Sequence, residues 1–135
     1  MIPVTITLPT PQPQIASEAQ IAPVAIEIPE YRYGELIPEI VIDELISRHA
    51  TGYKAYGMKR TLWCESGFWN IQSRVVKNGV REPSFGVSQI HKPSHPNITR
   101  EQALDPEFSI KFMSDNWGKV KWYGWDSVND KCNGY

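Results

Sequence analysis

A glutamate stands among large apolar side chains in the stretch TLWCESGFWNIQS, residues 61–73. Trp63, Phe68 and Trp69 lie within four positions of Glu65. Apolar walls disfavour a carboxylate and would raise the pKa of this carboxyl group, so that it keeps its proton near neutral pH. A protonated carboxyl group is what general acid catalysis requires. The pattern predicts that Glu65 is a catalytic acid; the alternative is a carboxylate on an exposed helix end.

A second motif, GVSQI, follows at residues 86–90. Together with ESGF at residues 65–68, and in this order, it resembles two signatures of the soluble lytic transglycosylase (SLT) domain of the lysozyme-like superfamily. The Asp-Pro pair at 105–106 resembles the helix start that follows in that family, and the likeness covers about residues 35–120. This chain has Ser88 where the family usually has methionine, a longer stretch between the two motifs, and no A-Y-N-A-G signature downstream.

The resemblance implies a mainly α (α+β), lysozyme-like fold: a small helical domain with a short β-hairpin. It implies cleavage of the β-1,4 bond between N-acetylmuramic acid and N-acetylglucosamine in peptidoglycan. Glu65 would first donate a proton to the leaving oxygen. As a carboxylate it would then take the proton of the sugar's own C6 hydroxyl, which gives a 1,6-anhydro product without consuming water. Closing a ring within the substrate gains from proximity.

The resemblance also implies four substrate-binding residues: Ser66, Ser84, Phe85 and Gln89. Gln89 would hydrogen-bond a sugar amide or hydroxyl, or else brace the hairpin. Ser66 would orient the glutamate or cap the helix end. Ser84 would bond near the reacting sugar or be a plain turn residue.

Hydrolysing glycosidases normally use two carboxyl groups. Animal-type lysozymes have an aspartate just before an aromatic-glycine pair, and Ser84 occupies the matching position here, ahead of Phe85-Gly86. Glu82 stands two residues earlier and could approach the site. This favours the transglycosylase over two alternatives, a hydrolytic muramidase (lysozyme) on the same bond and a non-catalytic peptidoglycan-binding or structural module.

Two helices are expected ahead of and around Glu65. The apolar positions 37, 40, 41 and 45 form a stripe at helical spacing, and that helix should begin near Pro38 and fade near residues 50–52. A second helix should cover residues 59–66, or begin earlier, with Gly67 as its left-handed cap. Asn78-Gly79 between β-favouring residues indicates a hairpin, and residues 84–90 indicate a further strand or an irregular loop.

Helix signals return near residue 99. Thr99 and Gln102 fit a capping box, and Asp105 fits a cap with Pro106 in the first turn. Phe108, Ile110, Phe112, Met113 and Trp117 would supply the buried face of the helix that follows. Of the late aromatic residues Trp117, Trp122, Tyr123 and Trp125, one is expected to contact sugar and the others to close the core.

The chain divides by composition into a Pro-rich tail or linker at residues 1–33 and the lysozyme-like domain at residues 34–135. Seven of the 11 prolines fall by residue 38, and glycine is absent before Gly34. Such a segment favours extended conformations. We expect the tail to join the domain to a larger protein, or else to pack along the domain without a separate role, and the domain itself to be a monomer.

The composition of the chain limits which partners and which cellular location are expected. The net charge of −1 gives no reason to expect a nucleic-acid partner. Neither a membrane span nor a signal peptide is visible, and a peptidoglycan substrate implies a periplasmic, secreted or cell-wall location, or a phage-encoded protein. His91 and His95 are separated by Pro93 without a further ligand cluster, so we expect no metal and no cofactor. Cys64 and Cys132 are either bridged or buried free thiols.

Overall fold

A computed structural model describes residues 2–7, 26–119 and 123–124 of the chain. Four α-helices lie within these ranges: α1 (Glu39–Ser47), α2 (Gly52–Ser66), α3 (Arg100–Ala103) and α4 (Pro106–Asp115). A short 3-10 turn precedes α3, and α1 packs against both α2 and α4. The expectation of a small, mainly helical domain is therefore confirmed for the described residues.

The first helix buries a different stripe from the one predicted. Val41 and Leu45 are buried as expected, but Ile40 is 64% exposed. Ile42 and Ile46 are buried instead. The side facing α2 and α4 is thus set by the pairs 41/42 and 45/46, which lie one turn apart on one face.

The predicted ends of the other helices agree with the structure. The second helix begins at Gly52, earlier than residue 59, and Gly67 follows it with a φ of 61°, as expected of a left-handed cap. Thr99 and Gln102 form the capping box at the start of α3. The Asp105 side chain accepts hydrogen bonds from the first turn of α4. These ends were predictable because each depends on one local residue.

Two antiparallel hairpins lie between the helices. The first joins β1 (Val76–Lys77) to β2 (Val80–Arg81), and the second joins β3 (Ser84–Phe85) to β4 (Ile90–His91). Both residues of the Asn78-Gly79 turn have positive φ, as a two-residue hairpin turn requires. The predicted hairpin is confirmed; the strands at residues 84–91 form a separate two-stranded sheet.

Residues 68–73 connect the end of α2 to both the chain before α1 and the second hairpin. Leu36 pairs with Trp69, and Gln72 pairs with Phe85, each through an isolated antiparallel bridge. The Gly86 N–H donates to the Ile71 carbonyl over 3.0 Å. Through these bonds the end of α2 and the loop after β3 are held beside each other.

The core has two clusters of buried apolar side chains, and Phe112 packs against both. The smaller cluster lies under the second hairpin and consists of Phe85, Ile90 and Ala103. The larger cluster joins the helices to the loop after β3 and consists of Ile37, Val41, Ile42, Leu45, Ile46, Met58, Leu62, Phe68, Val87, Ile110, Met113 and Tyr123.

The described end of the Pro-rich segment lies against the helical body. Ile28 and Tyr31 pack on the larger core cluster, and Arg48 donates to the Ile26 carbonyl over 3.3 Å. Residues 8–25, most of the predicted tail, lie outside the described residues, so the boundary at residue 33 stays a prediction. No helix in the described ranges is long and apolar enough to cross a membrane.

Candidate active site

Glu65 lies in the last turn of α2, and local contacts fix that turn. Gly67 ends the helix, and its N–H donates to the Trp63 carbonyl over 2.8 Å. The Ser66 hydroxyl bonds the Val87 carbonyl over 2.7 Å, which ties the helix end to the loop after β3. Ser66 therefore anchors the turn, in agreement with the capping alternative.

The half-buried Glu65 side chain lines a groove of about 930 Å³. Ligand sites in proteins are commonly about 300–1,000 Å³, so the groove has room for sugar residues. Two of the predicted substrate-binding residues, Ser84 and Gln89, line the same groove, whereas Ser66 and Phe85 do not. The remaining lining residues are Val75, Lys77, Val80, Arg81, Glu82, Pro83, His91, Ser94, His95, Phe112 and Tyr123.

Gln89 braces the loop that carries it. Its backbone has a φ of 54°, in the left-handed region. Its amide nitrogen donates to the Ile71 carbonyl over 3.0 Å and to the Gly86 carbonyl over 2.8 Å. Both N–H groups of the Gln89 amide are thereby used, so this side chain can hydrogen-bond a ligand in the groove only through its amide oxygen. The bracing role is present, and it also fixes the orientation of the amide at the groove.

Ser84 and Glu82 act as a pair. The Ser84 hydroxyl, on β3, donates a 2.8 Å hydrogen bond to Oε1 of Glu82. Ser84 is buried and Glu82 is half-buried, and both line the groove with Glu65. The groove therefore contains two carboxyl groups, one at a helix end and one held by a serine.

The apolar walls beside Glu65 are not those expected from the sequence. Trp63, Phe68 and Trp69 do not line the groove. Trp63 is 45% exposed and packs edge-on against the buried Phe68 at a centroid distance of 5.3 Å. Residues distant in sequence supply the walls instead: Val75, Val80, Pro83, Phe112 and Tyr123.

Among the late aromatic residues that the structure describes, Tyr123 lines the groove. Its buried hydroxyl donates to the Ser88 carbonyl over 2.6 Å, and its ring meets Phe112 edge-on. Burial raises the pKa of Tyr123, and the negative charge of Glu65 raises it further. Glu65 therefore lies within electrostatic reach of a neutral phenol. Trp117 packs on the core, and Trp122 and Trp125 lie outside the described residues.

Basic residues also line the groove, a placement that no sequence motif predicts. His91 hydrogen-bonds Ser94 over 2.7 Å, and His95 packs edge-on against Phe112. Lys77 and Arg81 enter from the first hairpin. In the described ranges, no group of three or more His, Cys, Asp or Glu side chains is arranged to hold a metal ion.

Two further sequence features have structural explanations. Phe85 is buried in the smaller core cluster, with the Arg100 guanidinium 5.3 Å from its ring centroid. Ser88, at the position where the resembled family usually has methionine, is fully buried and bonds Ser109 through both its N–H and its hydroxyl. Cys64 is in a disulfide, and Cys132 lies outside the described residues.

No protein-family model, curated protein sequence or solved structure matches this chain.

Proposed function

We propose that the protein is a lytic transglycosylase with a lysozyme-like fold that cleaves the N-acetylmuramic acid–N-acetylglucosamine β-1,4 bond of peptidoglycan. The observation that carries the proposal is that Glu65, Ser84 and Gln89 line one groove of about 930 Å³. The two sequence motifs behind the proposal lie 21 positions apart, and the Ser66–Val87 hydrogen bond joins them directly. Peptidoglycan lies outside the cytoplasm, so the proposed place of action is the periplasm, the cell wall or the exterior.

The first step requires a proton on the leaving oxygen as positive charge develops on the sugar. A carboxylate is disfavoured at the carboxyl end of a helix, where the helix dipole is negative, and beside apolar walls. Glu65 lies in the last turn of the 15-residue α2, and Val75, Val80 and Phe112 line the same groove. The proposed step requires a Glu65 carboxyl group that keeps its proton until the leaving oxygen takes it.

In the second step, the Glu65 carboxylate accepts the proton of the C6 hydroxyl, whose oxygen closes on the anomeric carbon. The Gln89 amide is fixed by the Ile71 and Gly86 carbonyls, so its oxygen is oriented before substrate binds. A fixed acceptor for a sugar amide or hydroxyl costs little entropy on binding. It would hold the muramic acid ring so that the closing hydroxyl lies near the glutamate.

The nature of the product tests this proposal. Purified peptidoglycan is incubated with the protein, and the released fragments are weighed by mass spectrometry. A transglycosylase leaves 1,6-anhydro-muramyl ends, lighter by one water than the reducing ends left by hydrolysis. Anhydro ends support the proposal, and fragments with reducing ends alone overturn it.

A hydrolytic muramidase is the second candidate, favoured by the Ser84–Glu82 hydrogen bond in the same groove. Here Glu82 would be the second carboxyl group that hydrolysis normally requires. The same product analysis decides between the candidates. Release of no fragment at all would leave the third possibility, a module that binds peptidoglycan without cleaving it.

A further inference from the structure

The first hairpin forms one side of the groove, which we name the hairpin wall and define as Val75, Lys77, Val80 and Arg81. All four residues line the groove. Val75 is 48% exposed and Val80 is 67% exposed, although both are apolar. Each strand of this hairpin has two residues, and a hairpin of this kind is marginally stable by itself in water. The hairpin wall thus presents two apolar and two cationic side chains on a short two-stranded hairpin.

The positive charges of the wall have no acidic partner among the residues that the structure describes. Arg81 is held in place because its guanidinium donates to the backbone carbonyls of Ser73 and Gln72. Lys77 is exposed and makes no ion pair with any described residue. The neighbouring Glu82 carboxylate accepts its hydrogen bond from Ser84. Two cationic side chains therefore line the groove without an ion pair to a described residue.

The charges of the substrate must complement this wall. Where the lactyl group of muramic acid is amide-linked to a peptide, the glycan chain itself is uncharged, so it gives Lys77 and Arg81 nothing to pair with. The carboxylates of peptidoglycan are on the peptide arms attached to the lactyl group of muramic acid. A peptide arm also carries aliphatic side chains that would cover Val75 and Val80.

We propose that the hairpin wall binds the peptide arm of peptidoglycan, with Lys77 and Arg81 pairing with its carboxylates and the two valines covering its aliphatic part. This proposal rests on the proposed function, since it takes peptidoglycan as the substrate. It makes the protein selective for strands that still carry peptides.

Binding and cleavage are measured separately to test it. The probes are insoluble peptidoglycan with its peptides and the same material stripped of peptides by an amidase, with the lactyl carboxylates that this frees converted to methylamides by carbodiimide coupling. Both are used again after removal of wall phosphate polymers. Binding is measured by sedimentation, with protein that carries Glu65→Gln so that it does not cleave the material. This single variant is compared with the double variant that also carries Lys77→Gln. Lys119→Gln is the control for charge, because Lys119 is exposed and lies outside the groove. Val80→Ser is compared with Val76→Ser, since Val76 is in the same hairpin, is 59% exposed and does not line the groove.

Lys77→Gln is expected to weaken binding to peptide-bearing material about two- to fivefold, the effect of one exposed ion pair, and to weaken binding to stripped material less. The difference between the effects of Lys77→Gln on the two materials should shrink at high salt, because screening weakens exposed ion pairs. Val80→Ser should weaken binding more than Val76→Ser. Equal effects of Lys77→Gln on both materials overturn the proposal, as does binding that depends on wall phosphate polymers rather than on peptides. Cleavage by the parent protein is the separate test of the proposed function, and a parent that releases no fragments refutes that function without changing the binding result.

Discussion

The α-carbon of Gly86 lies against the carbonyl oxygen of Ala103. A Cβ built on Gly86 would approach that oxygen to well under 3.0 Å, a separation that real Cβ atoms do not show. Gly86 also has a φ of 79°, and its N–H donates to the Ile71 carbonyl. The loop that carries Gln89 is therefore packed directly on the end of α3, and only glycine fits at this contact.

Gly86→Ala should destabilise the protein by about 3 kcal/mol or more, because the added methyl group forces the loop away from α3 and strains a left-handed backbone. Gly79→Ala is the matched control: its φ is 75°, but nothing lies within 4 Å of the added carbon. It should cost about 1–2 kcal/mol. Urea unfolding of both variants measures the difference, and equal losses would show that the contact with Ala103 is unimportant.

Ser88→Met, which restores the residue usual in the resembled family, should destabilise this chain by about 1–3 kcal/mol through overpacking. Ser88 is fully buried and bonds Ser109, so a longer side chain has no space. Ser88→Ala should cost less, about 1 kcal/mol, since it removes one hydrogen bond and adds no volume. Thermal or urea denaturation measures both, and a methionine variant as stable as the parent would mean that the pocket around Ser88 is looser than described.

Tyr123→Phe should cost about 1 kcal/mol at neutral pH, because the Ser88 carbonyl loses a hydrogen bond. It should also change stability in alkali. Burial raises the pKa of Tyr123 in the folded state above the value of 10.0 expected without burial. Above that pH the unfolded chain releases the phenol proton while the folded chain keeps it, so stability falls as the pH rises.

The free energy of unfolding of parent and Tyr123→Phe, measured from pH 8 to pH 11, checks this effect. The two should differ by a constant amount up to about pH 10, the ordinary tyrosine value. Above it the parent should lose stability more steeply. Parallel curves throughout would show that the Tyr123 hydroxyl is not buried in solution.

Glu82→Gln separates one-carboxyl from two-carboxyl chemistry. Glutamine keeps an oxygen that can accept the hydrogen bond of Ser84. If Glu65 acts alone, the rate of anhydro-product formation should fall by less than about tenfold. In that case the substitution removes only a negative charge from the groove and no reacting group. A fall of about 100-fold or more would assign the second carboxyl role to Glu82. Fragment release from purified peptidoglycan, followed over time, gives these rates.

The sequence was sufficient for features that depend on neighbouring residues. The Gly67 cap, the Thr99–Gln102 capping box and the Asn78-Gly79 turn each follow from one or two residue types. The stripe on the first helix was partly wrong at Ile40, because periodicity shows that a face is apolar but not which neighbouring helices cover it.

The surroundings of Glu65 could not be predicted in the same way. Trp63 is two positions from Glu65 on a helix, and residues two apart point to different sides. The walls come from the first hairpin, from α4 and from Tyr123, 10 to 58 positions away along the chain. The spacing of His91 and His95 around Pro93 argues only against a metal site and does not predict that the fold brings both side chains to the groove. These placements depend on tertiary packing, and tertiary packing cannot be read from a single sequence.

In the proposed mechanism Glu65 donates a proton to the leaving oxygen and then, as a carboxylate, accepts the proton of the C6 hydroxyl. This mechanism is tested by comparing parent and Glu65→Gln protein on purified peptidoglycan, with circular dichroism and urea unfolding to show that both are equally folded. The variant keeps the size of the side chain and the groove but has no proton to donate. We expect fragment release to fall by about 10²–10⁴-fold, the contribution typical of a general acid or base. A folded variant that releases fragments at the parent rate would contradict it.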